Sequence, residues 1–165
     1  MRREALDRFE PAAVDSVGAT WVAEDRYELQ PSAKRFESYE MTMAAKAGLG
    51  MAVDYCLLLG IQDIWQRILQ LSGQLRAGLA ALPRVTIHDK GRVLCGLVSF
   101  TVAGLQAEGV RLALAQRRIN VSVSAVGSSR LDFQARGLEA VVRASLHYYN
   151  SEAEVEQLIR AVDQL

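Results

Sequence analysis

Val93-Leu94-Cys95-Gly96-Leu97-Val98-Ser99-Phe100-Thr101-Val102 is rich in branched and aromatic residues and is bounded by Gly91 and Gly104. Such side chains suit a pleated, half-buried surface, so the run predicts a central strand over 93–102. Upstream the period is different. Ile64, Ile68, Leu71, Leu75, Leu79 and Leu82 recur every three or four residues until Pro83, which predicts a helix with one apolar stripe. Before it, Met43, Ala47, Met51, Tyr55 and Leu58 keep the same spacing through a helix of about 40–59, and Gly60 stands where a left-handed cap would end it.

Downstream, a short helix over about 106–117 leads to Ile119-Asn120-Val121-Ser122-Val123-Ser124, which alternates apolar with small polar residues as a half-buried strand does. Gly127, Ser128, Ser129 and Gly137 mark 125–138 as a loop. A third strand is predicted from Glu139 to His147, with Val142, Ala144 and Leu146 on one side and Val141, Arg143, Ser145 and His147 on the other. Ser151 and Glu154 fit a capping box for a last helix whose stripe is Val155, Leu158, Ile159, Val162 and Leu165. This order predicts an α+β two-layer sandwich, a small, mostly antiparallel sheet with helices on one face. Asn120, Ser122, Ser124, Arg143, Ser145 and His147 would line the other face.

Residues 1–39 carry Pro11, Pro31 and scattered charge, with one strand-like stretch at Gly18–Val22 and no sustained period. They are expected to form an N-terminal segment without a core of its own, and 40–165 the small α+β domain. At 165 residues, folding hides roughly 70% of the extended chain's surface, and a 50% hydrophobic composition excludes a disordered or low-complexity chain.

Nineteen basic and nineteen acidic side chains cancel, which leaves no general pull toward nucleic acid or an anionic membrane. An anion site must then be local. The first residues hold no apolar stretch of signal-peptide length, and no window is long enough for a membrane helix, pointing to a cytoplasmic setting. Cys56 and Cys95, each in an apolar run, are expected as buried thiols. Catalytic motifs are missing: there is no G-x-S-x-G, Walker loop, H-E-x-x-H or paired C-x-x-C.

His88 in Ile87-His88-Asp89-Lys90-Gly91 is expected in a turn between strands, and Arg117-Arg118 at the negative end of its own helix. Arg143 places a rigid five-donor fork on a sheet face. Either a neighbouring Asp or Glu meets it, or a substrate carboxylate does.

Val142-Arg143-Ala144-Ser145-Leu146-His147-Tyr148-Tyr149-Asn150-Ser151-Glu152-Ala153-Glu154-Val155 resembles the closing signature of class V aminotransferases, the pyridoxal-phosphate enzymes that include cysteine desulfurases and isopenicillin N epimerase-like proteins. Lys34-Arg35-Phe36-Glu37 is similar to the family's Arg-Phe-Glu motif. Gly48–Tyr55, Leu75–Leu79 and Cys95–Phe100 match family stretches in the same order, so the resemblance spans about 17–165.

The resemblance implies the C-terminal small domain of pyridoxal-phosphate fold type I, which closes over an amino-acid substrate. Arg143 would clamp the α-carboxylate, with Ser124 and His147 as further candidates. In the family a preceding large domain carries the lysine that anchors the cofactor. Lys34, Lys46 and Lys90 all lack that context, so this chain alone is expected to hold no pyridoxal phosphate and to be catalytically silent. Two departures narrow the branch. Residues 125–138 lack the mobile cysteine of desulfurases, and Ser38-Tyr39-Glu40 replaces the usual Gly-Thr, as in epimerase-like members. The expected partner is a second copy or a separate large-domain chain. The alternatives are a non-catalytic dimeric binding or assembly module, or one half of a split enzyme.

Overall fold

A computed structural model describes residues 3–165. Its elements run β1 (Ala19–Ala23), β2 (Arg26–Leu29), α1 (Met43–Leu59), α2 (Ile61–Ala80), β3 (Val85–Ile87), β4 (Leu97–Val102), α3 (Ala107–Gln116), β5 (Ser122–Ala125), α4 (Arg130–Ala135), β6 (Ala140–Ser145) and α5 (Glu152–Asp163), with short 3-10 turns between some of them. The chain divides into two compact units, Met1–Tyr55 and Cys56–Leu165. The fold is α+β with small antiparallel sheets, as the alternation of helical and strand periods predicts.

In the second unit four strands lie in the order β3-β4-β6-β5, every neighbour antiparallel. Alternation along each strand sends Val98, Phe100 and Val102 of β4, with Val142 and Ala144 of β6, to one face. Leu71, Leu75 and Leu79 of α2, Val110 and Leu114 of α3, and Val155, Leu158 and Val162 of α5 cover that face in one contiguous core. Each fully buried Leu or Val there contributes about 1.5–3 kcal/mol. Two glycines set how closely elements approach. A Cβ on Gly78 of α2 would run into Ile159 Cδ1 of α5, and one on Gly96 would lie 2.5 Å from the Leu146 carbonyl oxygen.

Helix ends follow local chemistry. The Ser151 hydroxyl accepts from the Glu154 N–H while the Glu154 carboxylate accepts from the Ser151 N–H, the capping box expected at α5. Gly60, at φ 87, separates α1 from α2.

Several boundaries differ from expectation, each for a visible reason. The central strand begins at Leu97 rather than Val93, and in the segment before it the Cys95 carbonyl accepts from Arg76 Nη2 at 2.7 Å instead of from a neighbouring strand. The segment 125–138 contains α4, which Gly137 ends at φ 63 while the Leu138 N–H reaches back to the Phe133 carbonyl at 2.9 Å. Neither thiol is buried: Cys56 is half-buried and Cys95 exposed on the turn that Arg76 holds. Arg117 bonds Ala161 O and Gln164 Oε1, so it serves the C-terminal end of α5 rather than of its own helix.

In the first unit, β1 and β2 form a hairpin in which Trp21 pairs with Tyr27, both exposed. Helix α1 buries no side chain. Among the described residues, no single helix is long and apolar enough to cross a membrane.

Candidate functional site: a basic pocket on the free sheet face

The strand face turned away from the helices carries Arg143. It stands in register between Ser99 of β4 and Ser122 of β5. Its Nη1 donates to Ser124 Oγ at 3.0 Å, whereas Nε is buried and has no hydrogen-bond partner. A buried donor without an acceptor costs about 1–3 kcal/mol, so any acceptor that reaches this Nε–H gains from it. Of the two sequence readings of this arginine, the internal ion pair is not the one formed: among the described residues no Asp or Glu reaches it.

Helix α4 roofs part of this face. Phe133 of α4 and Val141 of β6 are both buried and both line the cavity. The resulting pocket, about 250 Å³, is lined by Arg143, Arg136, His88 and four serines, Ser99, Ser124, Ser128 and Ser129.

The surroundings leave the pocket positive. Arg136 Nη2 donates to the His88 carbonyl at 2.6 Å, and Nη1 to Asp132 Oδ2 at 3.0 Å. Asp132 also accepts from Lys90 Nζ at 2.8 Å, and the two cations hold its carboxyl below the usual range. Asp89 is fully engaged, accepting from Arg76 Nε at 2.6 Å and from the N–H and hydroxyl of Ser99 at 2.8 and 2.6 Å. The His88 ring, 2.9 Å from Thr101 Oγ1, titrates below its ordinary value because burial disfavours its cation, and the Arg136 charge acts the same way against a weaker pull from Asp89. It is therefore neutral at pH 7, and the pocket's formal charges are the two guanidiniums. Serine hydroxyls and planar guanidinium donors around a half-open cavity suit a small carboxylate.

The expected site residues fare differently. Arg143 and Ser124 come together. His147 does not join them: it lies past the end of β6, its ring stacked on Tyr149 at 4.7 Å and against Tyr148 at 4.6 Å, its backbone N–H held by Asn150 Oδ1. His88, expected as a plain turn residue, lines the pocket. Ser99 was hidden until strand register was known, while Phe133 and Arg136 belong to the helix read as a loop. The Asp132/Arg136 spacing of four was the available signal for that helix.

A sheet-and-helix domain with a basic pocket on its free face is the class that fold and site define. The chain belongs to the aminotransferase class-V family, whose model matches residues 1–158. It is 24% identical over 149 residues to a probable cysteine desulfurase of Methanothermobacter thermautotrophicus, covering 87% of this chain and 37% of that protein. The apo cysteine desulfurase of Thermococcus onnurineus superposes with a TM-score of 0.82 at 28% identity, over 99% of this chain and 41% of that one. A variant of a cystine C-S lyase with glycine covalently linked to its pyridoxal phosphate superposes with a TM-score of 0.74 at 26% identity, over 100% and 40% of the two chains. The chain thus spans about two fifths of the length of these relatives. Two of these three are described as cysteine desulfurases and one as a cystine C-S lyase, whereas the sequence alone points to the epimerase-like branch.

The family's cofactor is pyridoxal phosphate. The described residues do not fit it by themselves. No lysine lines the pocket, and Lys90 is held by Asp132. Ser38-Tyr39-Glu40, which stands in place of the family's usual Gly-Thr, lies beside Asp15, whose carboxyl is held below its ordinary value by the N–H groups of Tyr39 and Val17. An ionised carboxylate repels a phosphate there.

Proposed function

We propose that this chain is the substrate-closing C-terminal part of a class V pyridoxal-phosphate fold, and that its pocket receives the α-carboxylate of an amino acid. The unpartnered Arg143 Nε–H is the observation that carries this reading. Nη1 already has Ser124, so an incoming carboxylate can take Nε–H and a second guanidinium donor as a parallel pair. Ser99, Ser128 and Ser129 offer hydroxyls to the remaining lone pairs.

Chemistry at the α-carbon, as in the epimerase-like branch, is favoured over sulfur transfer. Residues 125–138 contain no cysteine, and neither Cys56 nor Cys95 lines the pocket. Residues 1–165 alone bind and orient the carboxylate without turnover, because labilising an α-hydrogen needs the anchored cofactor.

Arginine Nε–H NMR of the purified chain titrated with L-alanine tests this. The Arg143 resonance should move on binding, and Arg143→Gln should bind at least about tenfold more weakly. An unmoved resonance, or equal affinity in the variant, refutes the clamp. Turnover of an amino acid by the chain plus pyridoxal phosphate refutes its catalytic silence.

A further inference from the structure

Arg143 shares its pocket with a second guanidinium whose donors are not used up by the contacts that hold it. A guanidinium carries five N–H donors. Arg136 gives one to Asp132 Oδ2 at 3.0 Å and one to the His88 carbonyl at 2.6 Å, and the others have no acceptor among the described residues. Its negative partner is shared. Asp132 also accepts from Lys90, and its side chain is 41% exposed, where water and salt screen the pair.

Charge around the cavity does not balance. Lys90, Arg136 and Arg143 are positive and only Asp132 answers them, since Asp89 is paired with Arg76. Neither Asp nor Glu lines the cavity. A neutral amino acid brings one carboxylate and one ammonium, so it leaves the surplus where it was. An acidic amino acid brings one negative charge more and reduces it.

The two forks also stand on opposite sides of the cavity. Arg143 reaches from β6 across to Ser124 of β5. Arg136 is fixed on His88, which follows β3 on the other side of β4 and donates its N–H to the Ser99 carbonyl at 2.8 Å. With strands about 4.8 Å apart, two to three strand spacings separate the guanidiniums, about 10–14 Å. Each fork-to-carboxylate contact takes up about 4 Å between carbon centres, which leaves about 2–6 Å between two carboxylate carbons. Aspartate and glutamate span that gap. At about 250 Å³ the cavity suits a small metabolite rather than a peptide.

We infer that Arg136 is a specificity-determining residue, and that the pocket prefers amino acids with a second carboxylate, aspartate or glutamate, to neutral ones. This rests on Arg143 taking the α-carboxylate and adds what the far end of the pocket selects.

NMR of the arginine Nε–H groups tests it, with the purified chain titrated by L-glutamate and by L-glutamine, which share shape and α-carboxylate and differ in the charge of the far group. L-Glutamate should bind at least about tenfold more tightly. In Arg136→Gln that ratio should fall to within about threefold. The substitution also removes a tie on α4, so Asp132→Asn serves beside it: it breaks the same tie, leaves the guanidinium in place and should keep the preference. Equal affinities in the unsubstituted chain overturn the inference and leave the Arg143 clamp standing. A preference that survives in Arg136→Gln, or is lost in Asp132→Asn while circular dichroism shows an intact fold, belongs to something other than this guanidinium and overturns it as well. An Arg143 resonance unmoved by either ligand removes the clamp and the inference together.

Discussion

The two faces of the four-stranded sheet are built by the same short strands, yet they obey different rules. Toward α2, α3 and α5, every inward residue of β4 is buried and apolar: Val98, Phe100, Val102. Toward α4, the intervening positions are Ser99 and Thr101, and the facing strand supplies Arg143 with one donor satisfied and one not. One face is complete by itself. The other carries an uncompensated polar group that only a ligand or a wetter state would relieve. Period-two alternation lets one strand serve both purposes, so selection for packing and for binding act on alternate residues.

The sharpest way to break this contrast is from the packed side. Phe100 is fully buried between strands and helices, and Phe100→Ala should lower the unfolding free energy by about 3–5 kcal/mol; urea denaturation measures it. A loss no larger than that of an exposed substitution would mean the covered face is not the core. On the free face Arg143→Met should have a much smaller effect, within about 1 kcal/mol and in either direction, since it removes a buried donor that already lacks a partner. The same denaturation series reads it. A loss as large as that at Phe100 would make Arg143 a structural element and dissolve the distinction between faces.

Acidification should give the gentlest separation. His88 has a folded pKa below its unfolded value, so the unfolded state binds the proton more readily. Its contribution is present above about pH 6.5 and is lost as pH falls below that toward the folded value. Thermal melts from pH 7.5 to 5.5 should show a decline that His88→Gln flattens. Glu152, held down to about 2 by Arg67, stays ionised over this range and does not contribute to the slope.

Much of the covered face could be read from spacing, because burial imposes periods. Leu71, Leu75 and Leu79 lie where the three-to-four repeat placed them, and Ser151 with Glu154 caps α5 as the motif required. The pocket was less legible. Arg143 and Ser124 were visible as polar residues on strand faces, but Ser99 enters through the pairing of β4 with β6, a contact between residues far apart in the chain. Helix α4 is only six residues long and flanked by glycine and serine, so local composition points to a loop, whereas burial of Phe133 favours the helix. Helix α1 shows the converse case. Its spacing predicted the helix well and its exposure not at all, because periodicity reports an apolar surface and is silent about what covers it.

The latch between Lys90, Asp132 and Arg136 has a consequence for the pocket beneath it. Two cations grip one half-exposed carboxylate, and Arg136 in turn grips the His88 carbonyl, so α4 is tied down by charge as well as by the buried Phe133. Dissolved ions weaken the charged ties and leave the burial of Phe133 untouched. Ionic strength thereby acts on this cavity twice, once by competing for its guanidiniums and once by loosening the lid that shapes it.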